Sequence, residues 1–416
     1  MSGPRGGAME PMGERVVITG GGAISPFGAG LGPLVEGVAG GRRSLARAEG
    51  ACVARVPAGA AAAGPFSPNA WRRLDLGSRM AAAAAWQALQ AAGYPGPAGR
   101  PAEDAGIATV LGTMSAGIAT LRGFLETLFR EGPGSVSPML FPFTVPNAPA
   151  SQCSILLGLT GPNLTLCAME ASGLAAIATA VDLIRSGVVE GAVAGAVDEW
   201  SGAYGGAWGR LRLTHRGEPG EFPGPCAQNR RGFTPGEGAY LVMLESLDRA
   251  RRRGAVSWAE VKGETIAHAR GPAHAWPRDA EDVAEAIRDA LTQAGLGPEE
   301  IGYVAASANG TRALDAVEAR ALRLALGGGL RRVPVTSVKG AVGESAAASA
   351  CSALVGALSI RDGFIPPVAG LVDPAADLGL DLIMGEARRE RVPSVLVHAL
   401  GTGGSACCLV LVRPEA

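Results

Sequence analysis

The sequence predicts an α/β protein made of one unit used twice, with two sheets sandwiching a central layer of buried helices. Three observations carry that expectation. Apolar strand-like runs alternate with helix-like ones along the chain, the pattern of sheets buried beneath helices. Residues 88–113 and 290–311 read alike: an amphipathic helix ends on Ala-Gly, a loop follows, and an apolar strand runs on to Gly-Thr. Two helical stretches, 172–186 and 345–361, are small and apolar on every face, so they belong inside.

Taken in order, residues 1–12 are rich in Gly and Pro and predict a loose N-terminus. Residues 15–19 read as a buried strand that ends in a turn at Gly20, Gly21 and Gly22. A strand at 164–166 turns into the first buried helix, 172–186. Residues 239–245 close the first half, and 251–256 join the halves, so that one half covers 13–253 and the other 254–416. In the second half a strand at 333–338 turns into the second buried helix, and strands at 394–398 and 407–412 close the unit.

The 416 residues exceed what one small core needs, and 47% hydrophobic against 18% charged residues excludes disorder. The charge is −1, from 37 basic and 38 acidic residues, so no global basic field exists to hold nucleic acid. Lys262 and Lys339 are the only lysines; the remaining basic residues are arginines. The clusters Arg251–Arg253 and Arg331–Arg332 read as solvated ends of elements, or as a docking face for an acidic partner. The 7 cysteines fit no CxxC or Cys/His metal spacing and read as reduced thiols, mostly buried. The uncharged, Ala- and Ser-rich run Ser345–Ile360 is 16 residues, short for a membrane span, and the N-terminus lacks a signal layout. The expectation is a soluble cytoplasmic protein.

Chemistry belongs at the two turns that lead from a buried strand into a buried helix, 167–172 and 339–345. There a side chain meets the positive end of a helix and backbone N–H groups at the carboxyl edge of a sheet. The residue at the first elbow is Glu170 rather than Ser or Cys.

Several motifs, in this order, resemble the β-ketoacyl synthases of the thiolase superfamily over nearly the whole chain. They are Val16–Pro26 (VVITGGGAISP), Gly161–Thr165 (GPNLT), Ile184–Gly187 (IRSG), Arg231–Gly238 (RGFTPGEG), Ser337–Gly343 (SVKGAVG) and Gly401–Gly404 (GTGG). The resemblance implies a duplicated thiolase-type fold, layered α-β-α-β-α, with two mixed sheets, cap insertions and dimer-interface segments in the first half. Active members use a cysteine and two histidines. At the matching positions this chain holds Glu170, Asn309 and Glu344, while Lys339 is retained; its histidines, at 215, 268, 274 and 398, fall outside those motifs. A carboxylate is a poor acceptor for an acyl chain leaving a thioester, and thiolate chemistry is absent at the elbow. Cys167 lies three residues early and reads as core.

An intact scaffold without its triad resembles the chain-length factor (KSβ) of type II polyketide synthases. That resemblance implies a cytoplasmic, cofactor-free and catalytically silent subunit. It pairs as a heterodimer with a catalytic ketosynthase and helps form the tunnel that measures a chain carried on the phosphopantetheine of an acyl carrier protein. The KSβ elbow is usually glutamine, so Glu170 departs from it, and the product class stays open between aromatic and polyene. The alternative is a divergent stand-alone synthase or a malonyl carrier-protein decarboxylase using Glu170. Met114, Ser115, Met139, Leu140 and Phe143 are the tunnel candidates implied by the resemblance. Leu400 and Thr402 stand in a gate loop that has lost its aromatic residues. Glu170, Glu344, Lys339 and Asn309 are expected to form one buried polar cluster.

Overall fold

The computed structural model describes residues 14–61, 64–94 and 106–415, so the N-terminal stretch expected to be loose lies outside the described residues. Apart from two small two-stranded sheets, the strands form one twelve-stranded sheet: β1 Val16–Ser25, β2 Gly28–Ala29, β3 Ala108–Gly112, β4 Asn163–Leu166, β5 Gly191–Asp198, β6 Gly238–Ser246, β7 Ala259–His268, β8 Tyr303–Ala305, β9 Pro334–Thr336, β10 Asp381–Leu382, β11 Ser394–Leu400 and β12 Ser405–Val412. Their order is β10-β9-β8-β11-β12-β7-β1-β6-β5-β3-β4, with β2 paired to β1. The duplication is visible in the pairing. From β1 outward the senses are antiparallel to β6, antiparallel on to β5, then parallel to β3 and β4. From β7 outward they are antiparallel to β12 and on to β11, then parallel to β8, β9 and β10. The two sheets expected from the sequence are these halves. They join where Val16, Val17 and Ile18 pair with Val261, Glu260 and Ala259.

One element differs from expectation. Residues 20–22 make no turn; β1 runs straight through them to Ser25. The glycines serve close packing instead. A Cβ on Gly20 would overlap the carbonyl oxygen of Ala88, and one on Gly22 that of Ala84, so the helix Leu76–Ala91 lies directly on the strand. The second half repeats the device, because a Cβ on Gly263 of β7 would overlap the carbonyl of Ala290 in the helix Ala280–Ala294.

The central layer is as expected. The first central helix is Ser172–Arg185 and the second is Ala346–Asp362. Every residue of the second from Ala346 to Ile360 is buried, and its serines are satisfied locally: Ser349 Oγ donates to the Ala346 carbonyl at 2.7 Å, and Tyr303 donates to Ser359 at 3.1 Å. The helices cross closely, since a Cβ on Gly173 would stand 2.7 Å from the backbone nitrogen of Ala350. Among the described residues no helix is long and apolar enough to cross a membrane. Six of the cysteines are buried, but Cys167 is exposed, contrary to its reading as core. It follows the edge strand β4, which has no further strand to cover it.

Candidate functional site

Both central helices start from turns at the carboxyl ends of parallel strands, β4 and β9, and the two turns face one another through the gate loop 400–404. At the first, Met169 takes a left-handed backbone (φ 51°), a conformation costly for a residue with a side chain. Ser172 ties the turn, accepting from the Ala168 amide at 2.8 Å and donating to the Met169 carbonyl at 2.6 Å. Glu170 is fully buried there. Its Oε2 accepts from the backbone N–H of Thr402 at 2.7 Å and from the Thr402 hydroxyl at 3.0 Å. The elbow carboxyl is thus closed over by the gate loop. Burial pushes its pKa above the ordinary carboxylate value, against the opposing pull of the Thr402 donors and the more distant Lys339.

At the second turn Glu344 is equally buried but differently held. Its Oε2 accepts from Asn309 Nδ2 at 2.7 Å, and Lys339 Nζ lies 3.0 Å from the carboxylate. Burial raises its pKa to about 7, with Lys339 pulling down and Glu170 pushing up. Asn309 is fixed by Thr311, whose amide and hydroxyl donate to Asn309 Oδ1 at 2.9 and 2.7 Å. Lys339 also donates to Ser307 at 3.1 Å, and Ser307 Oγ accepts from the Leu400 amide at 3.0 Å. The expected single cluster is therefore two. Lys339 pairs with Glu344 alone and reaches Glu170 only through space.

Asp198 holds this arrangement together, and sequence reasoning did not single it out. Its Oδ1 accepts from the Thr113 hydroxyl at 2.8 Å and from the Met114 and Ser115 amides at 2.9 Å; its Oδ2 accepts from the Ala346 amide at 2.7 Å. One carboxylate thereby pins the end of β3 to the start of the second central helix. A signal existed: an acid ending the otherwise small, apolar run 191–198.

The tunnel candidates do not converge. Met114 packs with Trp208 and Phe233, whereas Phe143 packs with Met80 and Leu111 in a different cluster. The Ser115 hydroxyl is engaged with Asp198 and the Glu199 carbonyl. Met139 and Leu140 are exposed, 64% and 45%. The helix Ile118–Glu131 also buries none of its side chains and presents Ile118, Leu121, Leu125 and Phe129 on one face. The edge strand β4 likewise leaves Asn163 and Leu164 exposed. Among the described residues no three His, Cys, Asp or Glu side chains are placed to hold a metal ion.

Chemically, the site holds two carboxyls and an ammonium but no thiolate or imidazole. Although Cys167 is exposed, partial desolvation by its surroundings and the Asp198 carboxylate push its thiol up, away from the reactive thiolate.

Comparison with known proteins matches residues 13–250 to the Beta-ketoacyl synthase N-terminal domain and 258–372 to its C-terminal domain. The chain is 32% identical to 3-oxoacyl-[acyl-carrier-protein] synthase 2 of Rhizobium meliloti, over 96% of this chain and 99% of that one. It is 31% identical to the tetracenomycin polyketide synthase ketoacyl synthase alpha subunit of Streptomyces glaucescens, over 97% and 98%. Among solved structures it resembles the ishigamide ketosynthase/chain length factor, with a TM-score of 0.88 at 26% identity, covering 97% of this chain and 100% of that one.

Proposed function

The chain belongs to the β-ketoacyl synthase family, and on that premise we propose that it is the chain-length factor of a type II polyketide synthase. In this reading it does not catalyse condensation. It pairs with an active ketosynthase and supplies part of the wall that limits a chain held on an acyl carrier protein. The observation that carries the reading is the state of the three degenerate positions: Glu170, Asn309 and Glu344 are all buried, Glu344 held by Asn309 and Lys339, and Glu170 by Thr402 of the loop 400–404. No thiolate is there to accept an acyl chain, and the N–H donors present, those of Asn309 and Lys339, are bonded to Glu344.

Two surface features support a partner. The helix Ile118–Glu131 buries none of its side chains, Phe129, Met139, Leu140 and Phe141 are exposed, and Phe141 stands beside Phe124 of that helix, the kind of exposed apolar surface that marks an interaction site. The edge strand β4 offers unpaired backbone groups to a neighbour. The likeness to a solved ketosynthase/chain length factor, and identity to a ketosynthase alpha subunit, support the kind of partner.

The test is co-expression with an intact type II ketosynthase and purification on a tag carried by this chain. The expected result is a stoichiometric heterodimer that elongates malonyl carrier protein, with this chain inactive alone. A homodimer that condenses or decarboxylates by itself, and loses that activity in Glu170→Ala, overturns the reading in favour of a stand-alone enzyme. Within an active heterodimer, Met139→Ala is expected to lengthen the product if Met139 ends the tunnel. Phe143→Ala tests the same idea less cleanly, because emptying a core position also costs about 3–5 kcal/mol.

A further inference from the structure

A second cleft opens at the other end of the sheet from the gate loop. β12 leaves the gate loop at Ser405 and reaches the cleft after Val412; at a strand rise of ~3.4 Å per residue the two lie roughly 24 Å apart. The cleft has a volume of about 380 Å³ and is lined by Arg251, Ser257, Trp258, Arg361, Arg413 and Glu415, among others.

Its charges are unevenly matched. Four arginines stand at 249 and 251–253 on and after the helix Leu247–Arg252. Arg249 and Arg252 pair with Glu190, and Arg253 with Glu245. Arg251 has no carboxylate partner among the described residues, and it is the one of the four that lines the cleft. Arg413 also has none. One of its terminal nitrogens donates to the Ile360 carbonyl, while its Nε is buried with no acceptor among the described residues. A buried guanidinium donor without an acceptor is costly and calls for one. Arg361 is braced instead, its guanidinium 4.4 Å over the Trp258 ring and bonded to Asp362 at 2.6 and 2.8 Å. The one carboxylate in the lining, Glu415, is turned to Arg15 at 3.5 Å.

We propose that this cleft binds a ligand through a pyrophosphate group. Guanidinium forks match phosphate oxygens in number and geometry. A lone carboxylate offers two acceptor atoms and would leave most of the donors of Arg251 and Arg413 unmet. The volume exceeds one phosphate and falls at the small end of ligand sites. The cleft lies far from the elbow and uses none of its residues, so the proposal is independent of the chain-length reading.

Titration calorimetry of the full chain with sodium pyrophosphate, orthophosphate and acetate at fixed ionic strength tests it. Saturable pyrophosphate binding is expected, weaker for orthophosphate and absent for acetate, with weakening by added salt. Arg251→Ala is expected to weaken it by about tenfold, the size of one lost charge-assisted contact. Arg252→Ala, whose guanidinium is committed to Glu190, should leave it unchanged. The Arg251 side chain makes no hydrogen bond or ion pair among the described residues, so its removal leaves a folded protein, checked by an unchanged melting temperature without ligand. No saturable binding, or equal loss in both variants, overturns the proposal. So does binding of an acidic carrier protein that depends on Arg251 when pyrophosphate does not bind, because the cleft would then be a protein-docking surface.

Discussion

The two central helices occupy equivalent places in the two halves, and each begins beside a buried glutamate, yet the glutamates are stabilised by different means. Glu344 has a charged partner, Lys339, and an amide, Asn309. Glu170 has only the neutral donors of Thr402. A duplicated scaffold thus fixes where a helix end and its acidic residue fall, but not how the charge is met. That is set by the loops, which the duplication does not constrain. The C-terminal turn holds its own ion pair; the N-terminal one depends on the bonds it receives from Thr402.

The largest test of this difference removes the charged partner. Lys339→Met leaves Glu344 buried and unpaired and is expected to destabilise by about 3–5 kcal/mol in denaturant unfolding. The double change Lys339→Met with Glu344→Gln should restore most of that loss, because no unpaired charge remains. A loss in the single variant below about 1 kcal/mol would show that the pair adds nothing beyond its own desolvation cost.

The second test compares the helices themselves. Gly173→Ala pushes a methyl into the backbone of the second helix, and an expected loss of about 1–3 kcal/mol follows from overpacking. Gly356→Ala should cost less, since its Cβ meets only side-chain carbons at 3.2–3.5 Å, which can shift. Equal losses would mean the crossing at Gly173 is not tighter than the rest of the layer. Thermal and denaturant midpoints of both variants decide it.

The smallest effect is the pH dependence of the N-terminal turn. A carboxyl whose pKa is raised on folding holds its proton more tightly in the native state, so its contribution is favourable below the ordinary value and is lost as pH rises. For Glu344 the window runs from the ordinary 4.5 to about 7. Glu170 is raised in the same direction. Glu170→Gln keeps an acceptor for the Thr402 amide but cannot ionise. Its melting temperature should therefore fall less between pH 5 and pH 8 than that of the unaltered chain. An unchanged slope would place the titration at Glu344 alone.

Much of the architecture was legible. The repeat at 88–113 and 290–311 appears as two helices, Leu76–Ala91 and Ala280–Ala294, each lying on its own glycine-bearing strand. The small-residue helices are central because what needs water on them, Asp182 and Arg185 on one and Arg361 and Asp362 on the other, is confined to the last turns. The glycines at 20–22 were misread as a turn, since a glycine serving close approach looks the same in sequence as one serving a bend. At the candidate site the identities Glu170, Asn309, Lys339 and Glu344 were readable from motif position. Their partners were not. Thr402 and Glu170 are 232 residues apart, and Asp198 and Ala346 are 148 apart.

The sequence by itself determined the duplicated α/β fold, the buried central layer and the replacement of a thiolate and imidazoles by carboxyls and an amide. The fold and its buried layer follow from periodicity, which is local; the replacement follows from the motifs that resemble the family's. Only the tertiary structure decided that Lys339 serves one glutamate and not the other, that Cys167 sits in the open, and that Arg251 and Arg413 face one cleft. Burial and pairing depend on which distant segments meet, and a carboxyl's proton affinity is set by that company rather than by its neighbours in the chain.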